Sequence, residues 1–312
     1  MPNPSIASML ARTRPIARCL RLRYVCARQA SSKVPVEPPL LQHQHVSRSG
    51  LIGYSDANAI QSAFQHGFLQ WKDRAKHDAS RSTIEPPRPK LVSFECKPTF
   101  TIGRRQDASI LEEQQATLTQ PLQIDLPNRR EPTQQTFTPQ ICKTQRGGLT
   151  TYHGPGQLVL WPVLDMHSPL YPNFTVKSYA GHLEATTQRV LYDLFGITTY
   201  IDDAEPGVWI AGSNGREDRK IAALGVHQRR YVTSLGLALN IDIAVTGDTN
   251  VNPWKRFVPC GIEGKGVTSV AAEADNRHKP ARWDLEDLSK QWAKVFENGL
   301  FDPSLRTFTH GR

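Results

Sequence analysis

The sequence lacks several features that would assign a function class at once. No stretch of its 312 residues approaches the ~20 apolar residues that a membrane-spanning helix needs, so no membrane span is expected. A G-x-x-x-x-G-K-S/T phosphate loop is absent, and so is a G-x-G-x-x-G turn that opens a helix. Five cysteines without C-x-x-C spacing give neither a disulfide framework nor a zinc motif. We therefore expect no metal and no cofactor.

Positive charge is concentrated at the amino terminus. Residues 1–36 carry +7 of the net charge of +9 and contain no acid, which leaves only +2 for the rest of the chain. An acid-free leader rich in arginine and serine is typical of a mitochondrial transit peptide. We predict a transit peptide over residues 1–32, a polar linker over 33–50 and no nucleic-acid partner. A basic disordered tail is the alternative interpretation.

The pattern of apolar residues predicts one α/β (α+β) domain over residues 51–305. Helical spacing appears over residues 57–68, 175–195 and 285–299, with Gly196 and Gly299 as stop signals and Asp284 as a cap. Short β-rich runs predict strands, which are expected at residues 91–96, 99–104, 158–165, 197–201, 207–211, 220–226 and 231–241. The alternation of helices with mostly sequential strands predicts a sheet flanked by helices.

A glutamine- and proline-rich segment interrupts this pattern. Residues 106–145 contain nine glutamines and four prolines, and little in them could form a core. We predict a partly disordered inserted loop at about 106–140, with a strand only at Leu122–Leu126.

The least ordinary stretch is residues 146–157, which read R-G-G-L-T-T-Y-H-G-P-G-Q. Four glycines, a histidine and an arginine precede an almost wholly apolar run. Glycine-rich backbone that leads into a buried strand is a common way to build a ligand site, because glycine lets a substrate approach the main chain closely. A structural turn is the alternative for any of these glycines taken alone.

Three side chains are candidates for a catalytic role because of their residue type and local sequence. Cys260 lies between Pro259 and Gly261, at a turn, where a thiol could act as a nucleophile or simply be packed. Lys220 opens an apolar strand and could assist such a thiol, or could be a solvated hairpin lysine. His153 could take part in chemistry or could brace the glycine-rich loop.

As a whole, residues 146–157 closely resemble the signature R-G-G-x-x-T-Y-H-G-P-G-Q of the lipoyl(octanoyl) transferases, in the biotin/lipoate protein ligase superfamily. The resemblance covers most of residues 50–300. It extends to further segments in the same order, which are residues 101–104, 206–210, 220–225, 236–240 and 259–261.

The resemblance implies a mixed sheet flanked by helices and an acyl transfer in the mitochondrial matrix. Cys260 would take an octanoyl group from octanoyl-acyl carrier protein, with Lys220 as the base. The acceptor would be a lysine on the lipoyl domains of 2-oxoacid dehydrogenase complexes or on the glycine-cleavage H protein, and the enzyme would be a monomer. The substrate-binding residues it implies are Arg146, Gly147, Gly148, Leu149, Thr150, Thr151, Tyr152, His153, Ala223, Leu224, Gly225, Gly236, Leu237 and Ala238.

Two positions depart from the family pattern, since Leu235 and Cys96 stand where histidine is usual. Two other functions remain as alternatives. An ATP-dependent lipoate or biotin ligase on the same fold would not need Cys260, but its signature usually replaces the Gly-Pro-Gly-Gln that ends the run here. A carrier-binding homologue without activity would fit the loss of histidine at Leu235, but not the pair Lys220 and Cys260.

Overall fold

A computed structural model describes the body that spans Pro39–Arg312. The described residues are 38–48, 50–77, 85–106, 108–126, 133–213, 215–258 and 264–308. The predicted transit peptide and Cys260 lie outside these ranges. None of the described helices combines the length and the apolar character that crossing a lipid bilayer demands.

The described chain contains both helices and strands. The helices are α1 (Tyr54–His77), α2 (Ala108–Leu118), α3 (Val176–Phe195), α4 (Val270–Glu273) and α5 (Leu285–Phe301). Short 3-10 helices cover Pro253–Arg256 and Pro303–Arg306. The strands are β1 (Gln42–His45), β2 (Lys90–Phe94), β3 (Thr99–Ile102), β4 (Leu122–Leu126), β5 (Thr133–Phe137), β6 (Gln140–Lys143), β7 (Thr150–His153), β8 (Gln157–Val163), β9 (Tyr200–Ile201), β10 (Gly207–Ile210), β11 (Arg219–Arg229), β12 (Val232–Asn240) and β13 (Gly266–Val267).

A mixed sheet of eight strands forms the centre of the described part of the chain. Its order is β1-β2-β8-β12-β11-β10-β9, and β13 pairs with the start of β11. The β1–β2 and β11–β13 pairs are parallel and the other pairs are antiparallel. A smaller sheet has the order β6-β3-β7, and β4 pairs with β5. The predicted mixed sheet flanked by helices is confirmed.

Strand β8 lies between two apolar layers, and all of its residues are buried. Leu158 and Leu160 belong to the core that α3 and α5 cover. Val159 and Trp161 pack with residues of α1 on the opposite face. Successive side chains of a strand point to opposite faces, so a strand covered on both sides must be apolar at nearly every position. The unbroken apolar run after the signature is therefore a central strand.

Local signals set both ends of α3, and Gly196 ends it as predicted. Thr175 caps the helix by accepting the Ser178 N–H at 3.0 Å, and Ser178 Oγ accepts the Thr175 N–H at 2.9 Å. This reciprocal pair is a capping box. Gly196 ends the helix in the left-handed conformation, with φ of 65°.

The carboxyl end of α5 differs from the prediction. Asp284 caps the helix as expected, with the Asp287 N–H donating to its side chain at 2.9 Å. Gly299 does not end it, because the helix continues to Phe301. A Cβ at Gly299 would lie 2.3 Å from His182 Cε1, so this glycine makes room for a ring of α3. Gly299, which we predicted to end the helix, instead allows α5 to pack closely against α3.

Three other boundaries also differ. The predicted linker contains β1, which pairs in parallel with β2 and so belongs to the main sheet. The predicted inserted loop contains α2 and the β4–β5 hairpin, whose first strand is the one expected at Leu122–Leu126. Leu118 and Leu122 are fully buried with Phe100, so even this glutamine-rich segment contributes to a core. Helix α1 covers Tyr54–His77 and so extends beyond both ends of the helical spacing at residues 57–68.

Candidate active site

One cavity of about 460 Å³ brings the predicted site residues together. The signature run, β11 and β12 supply most of its wall. Nearly all of the predicted residues line it, and these are Arg146, Gly147, Gly148, Leu149, Thr150, Thr151, His153, Lys220, Ala223, Leu224, Gly225, Gly236, Leu237 and Ala238. Cys260 lies outside the described residues.

Tyr152 is the exception among the described residues, because it does not line this cavity. Its ring is 1% exposed and packs against Phe100 and Trp254, with centroids 5.1 and 5.7 Å apart. Tyr152 alternates along β7 with Thr151 and His153, which do line the cavity. Neighbours in a strand face opposite sides, so the ring of Tyr152 packs with Phe100 and Trp254 while Thr151 and His153 face the cavity.

Lys220 is a buried lysine at the cavity wall. Lys220 is only 7% exposed to solvent, and its Nζ donates a hydrogen bond to the Pro206 carbonyl at 3.2 Å. The same Nζ lies 4.4 Å from the centroid of the Trp209 ring. A cation above an aromatic face is stabilised by the charge distribution of the ring. Lys220 is therefore held in place by contacts, and the alternative of a solvated hairpin lysine is wrong.

An irregularity in the sheet turns Lys220 towards the cavity. The pairing of β10 with β11 shifts between Val208, which is opposite Ala222, and Trp209, which is opposite Lys220. The extra residue, Ile221, makes this a β-bulge, and Ile221 and Ala222 both enter the main core. A bulge changes the alternation of side chains and re-aims a residue. Lys220 and Ala223 consequently line the same cavity.

Arg146 supports the signature run from inside. Its Nη2 donates to the Thr101 carbonyl at 2.6 Å and to Thr101 Oγ1 at 3.0 Å, and Nη1 donates to the Gly147 carbonyl at 3.0 Å. Its aliphatic stem crosses Gly225, where a Cβ would lie 2.8 Å from Arg146 Cδ. Gly225 thus leaves the space that Arg146 occupies, and Arg146 ties the run to β3.

The backbone of the signature run is also fixed to the residues that follow β3. The N–H groups of residues 103–105 donate to the carbonyl oxygens of Leu149, Arg146 and Gly148 at 3.1, 3.1 and 3.3 Å. A Cβ at Gly103 would lie 2.2 Å from the Gly148 oxygen, so only glycine permits this approach.

His153 is a buried, neutral ring. Gln157 Nε2 donates to the Tyr152 carbonyl and to Asn240 Oδ1, so Gln157 Oε1 is the acceptor that faces His153 Nδ1 at 2.8 Å. The assignment makes Nδ1 the protonated nitrogen and leaves Nε2 as an acceptor. Burial lowers the pKa of His153 to about 4, although the hydrogen bond to Gln157 opposes the shift. His153 braces the loop and also lines the cavity.

Several cavity residues lie outside the predicted set, although Pro206 belongs to the family segment 206–210. Those outside the prediction are Tyr54, Arg105, Trp161, Val176, Ala180, Ala204, Glu205, Pro206, Val226 and Leu235. Most of these residues are apolar, and the sequence alone does not distinguish them from residues of the hydrophobic core. Leu235, which replaces the usual family histidine, is 6% exposed and packs in the cluster of Tyr54 and Trp161. Its φ of 60° is in the left-handed region, which is uncommon for leucine.

Comparisons with known proteins identify the family of this chain. The model of the lipoyl protein ligase A/B catalytic domain matches residues 75–297. A Danio rerio protein named octanoyl-acyl-carrier-protein:protein N-octanoyltransferase LIPT2, mitochondrial, is 35% identical over 190 residues, which cover 61% of this chain and 70% of that protein. A Schizosaccharomyces pombe protein named "Probable octanoyltransferase" is 30% identical over 230 residues, with 72% and 85% covered.

Among solved structures, a bipartite lipoate protein ligase of Thermoplasma acidophilum is 14% identical, with a TM-score of 0.45, and the match covers 85% of this chain and 89% of that chain. The family model and the named relatives identify this α/β chain as an acyltransferase. This chain belongs to the lipoyl protein ligase A/B catalytic domain family.

Proposed function

We propose that this acyltransferase moves an octanoyl group from octanoyl-acyl carrier protein to a lysine of a lipoyl domain, through a thioester on Cys260. The observation that carries the proposal is the buried side chain of Lys220 at the wall of a glycine-lined cavity. The names of the S. pombe and D. rerio relatives support octanoyl as the group.

The composition of the cavity wall supports an acyl chain as the substrate. Apolar side chains form much of the lining, among them Leu149, Trp161, Leu224, Leu235 and Leu237. Burying a methylene group contributes about 0.8 kcal/mol, so a chain of several methylenes gains most of its binding from such a wall. The charged and polar groups, Arg146 and Lys220 among them, would face the thioester end.

In the first step, the Cys260 thiol gives its proton to the Lys220 amine and its sulfur attacks the thioester carbonyl. The tetrahedral intermediate collapses, the bond to the carrier sulfur breaks, and Lys220 returns the proton to the leaving thiolate. The product is an octanoyl-S-enzyme. A thiolate is needed because the neutral thiol is a weak nucleophile.

In the second step, the lysine amine of a lipoyl domain attacks the acyl-enzyme carbonyl. The C–S bond to Cys260 breaks, and the proton lost by the amine passes through Lys220 to the Cys260 thiolate. Exchange between thioesters is nearly neutral in free energy and amide formation from a thioester is downhill, so the reaction requires no ATP.

The orientation of the signature run supports stabilisation of the oxyanion. The carbonyls of Arg146 and Gly148 accept hydrogen bonds from residues that follow β3. In a trans peptide the N–H points away from the carbonyl, so the N–H groups of Gly147 and Leu149 point away from those residues. Removing one such donor from an oxyanion site typically costs about 3–4 kcal/mol.

The intact mass of the protein tests the proposal. Protein lacking residues 1–32 is incubated with octanoyl-acyl carrier protein without ATP, and the expected result is one octanoyl adduct that hydroxylamine releases. Cys260→Ala should give no adduct. Cys142→Ala is the matched control, because Cys142 is another free thiol of the same chain and should leave the adduct intact. Lys220→Ala should slow acylation.

Addition of a lipoyl domain completes the test. The octanoyl group should pass from Cys260 to one lysine of the domain. Product that forms only with ATP would instead indicate a ligase, and transfer that survives Cys260→Ala would refute the thioester route. No transfer under either condition would indicate a carrier-binding homologue without activity.

A mitochondrial location and cleavage near residues 28–32 are part of the same proposal. The zebrafish relative is named as mitochondrial. Amino-terminal sequencing of the protein from isolated mitochondria should begin near these residues, and a chain that begins at Met1 would refute cleavage.

A further inference from the structure

A buried carboxylate lies next to the active-site lysine and has no part in the steps above. Glu184 is on α3 and is 7% exposed. Its Oε1 accepts the N–H of Gly207, the first residue of β10, at 2.7 Å. Burying a carboxylate is costly unless it is hydrogen-bonded or compensated by charge, so its position calls for a physical reason.

One peptide group connects Glu184 to Lys220. The N–H of Gly207 and the carbonyl of Pro206 belong to the same peptide unit. The N–H donates to Glu184 at 2.7 Å, and the carbonyl accepts from Lys220 Nζ at 3.2 Å. The peptide therefore stands between a carboxylate and an ammonium with its dipole aligned to both charges. Hydrogen bonds in such a chain strengthen one another.

The close approach of this peptide to Lys220 depends on glycine. Gly207 has φ of 132°, a conformation that other residues rarely adopt. A Cβ at this position would lie 2.7 Å from the Ala222 carbonyl oxygen and 3.3 Å from Lys220 Cε. The backbone is thus shaped so that the peptide sits directly against the lysine stem.

The charges around Glu184 favour a link to Lys220. Burial raises the pKa of Glu184 to about 7, and the nearby Asp203 adds to the rise. The Gly207 hydrogen bond and the Lys220 ammonium oppose it. Asp203 precedes β10, Lys220 is on β11, and β10 itself has no titratable side chain. Glu184 therefore changes charge near neutral pH at the back of the active site.

We propose that Glu184 is a positioning residue that holds Lys220 through the Pro206–Gly207 peptide and stabilises its ammonium form. This inference rests on the proposed function. When the Cys260 S–H bond breaks and an N–H bond forms on Lys220, the new positive charge is compensated through the peptide. Glu184 takes no proton in this step. The arrangement resembles a triad, in which a third group orients and stabilises the base, with a peptide inserted between the two.

The test measures the thiol of Cys260 without any acyl donor. The rate of its alkylation by iodoacetamide is followed by mass spectrometry from pH 6 to 9 in the full catalytic chain. Glu184→Gln keeps an oxygen that can accept the Gly207 N–H but removes the charge. Gln188→Ala is the matched control, because Gln188 lies one turn further along α3, is also buried, and donates to the Thr199 carbonyl at 3.0 Å.

The expected result is a rise of about one unit in the apparent pKa of the thiol in Glu184→Gln, with alkylation slower by up to about tenfold below that pKa. Gln188→Ala should match the wild type. The difference should disappear near pH 6, where Glu184 of the wild type is itself protonated. In a Lys220→Ala background, Glu184→Gln should have no further effect, because its action passes through the lysine.

Several results would overturn the inference. These are an unchanged profile in Glu184→Gln, an equal effect of Gln188→Ala, or a full effect of Glu184→Gln in the Lys220→Ala background. If Glu184→Gln does not fold, the pH profiles of alkylation in the wild type and in Lys220→Ala are compared instead. An inflection near pH 7 that the wild type has and Lys220→Ala lacks supports the inference, and the absence of that inflection refutes it. Failure of the wild type to form an octanoyl adduct would refute the proposed function separately.

Discussion

Replacing Gly225 with alanine should move Arg146 without straining the backbone of β11. A Cβ there would lie 2.8 Å from Arg146 Cδ, well inside the 3.4 Å at which ordinary contact begins. Gly225 does not have a positive φ, so alanine suits its backbone. Arg146 is not free to move aside, because its guanidinium donates to the Thr101 carbonyl and hydroxyl at 2.6 and 3.0 Å.

The expected cost of Gly225→Ala follows from these contacts. Overpacking typically costs about 1–3 kcal/mol, and a hydrogen bond to a charged group contributes about 1.5–3 kcal/mol. Because Arg146 can keep part of its bonding after a small shift, we expect a loss of about 2 kcal/mol in the free energy of unfolding. That loss corresponds to a melting temperature lower by about 4–8 °C for a domain of this size. Formation of the octanoyl adduct should slow as well, since Arg146 and its loop line the cavity.

Thermal melts and the adduct assay check this prediction together. Gly147→Ala is the control, because Gly147 lines the same cavity and an added Cβ would meet nothing within 4 Å. It should melt like the wild type. If Gly225→Ala also melts like the wild type, Arg146 is not held as described and the reasoning fails.

Three further predictions concern stability. Gly67→Ala should raise the free energy of unfolding by about 0.5–1 kcal/mol in urea titrations, because Gly67 is inside α1 and a Cβ there has open space; a loss would contradict this. Lowering the pH from 7 to 5 should reduce the free energy of unfolding by about 2 kcal/mol for each buried histidine. In the unfolded chain these histidines have a pKa of 6.5 and bind protons over this range, whereas the native rings, with a pKa of about 4, do not. The two buried histidines with this native pKa are His153 and His182. Urea titrations between pH 7 and 5 should show this loss of unfolding free energy, and His182→Gln should reduce it. An unfolding free energy of the wild type that does not change with pH would refute the prediction. Thr187→Val should cost about 1–3 kcal/mol in the same titrations, because it removes the acceptor of the Trp292 indole N–H at 3.0 Å, and no loss would refute it.

Glu184 and Leu235 indicate how this site can differ from sequence expectation in either direction. Leu235 makes the wall apolar where the family pattern has a histidine, a difference that the sequence already shows. Glu184 places a carboxylate behind the wall, in helix α3, where no motif pointed to a functional residue. Both follow from packing between elements that are far apart in the chain.

Features set by neighbouring residues could be predicted from the sequence. The capping box and the glycine end of α3 are local, because the groups that satisfy the helix ends come from the same few residues. The signature run was also predictive, since all of its described members from Arg146 to His153 except Tyr152 line the cavity. Short β-rich runs likewise indicated six of the eight strands described in the main sheet, among them the apolar strand β8, but neither β1 nor β13.

Other features depended on contacts between distant segments. The glutamine-rich segment was predicted as a loop because few of its residues are apolar, yet Leu118 and Leu122 find a core supplied by Phe100. Gly299 was read as a helix end, although its small size serves the neighbouring His182.

The sequence alone therefore determined the family, the α/β class and most residues of the site, because these are recorded in short motifs and local periodicity. Only the tertiary structure decided the direction of each side chain. A β-bulge aims Lys220 at the cavity, strand alternation turns Tyr152 away from it, and one peptide brings Glu184 to the lysine. These outcomes depend on register and on packing across the sheet, which no residue specifies by its own identity.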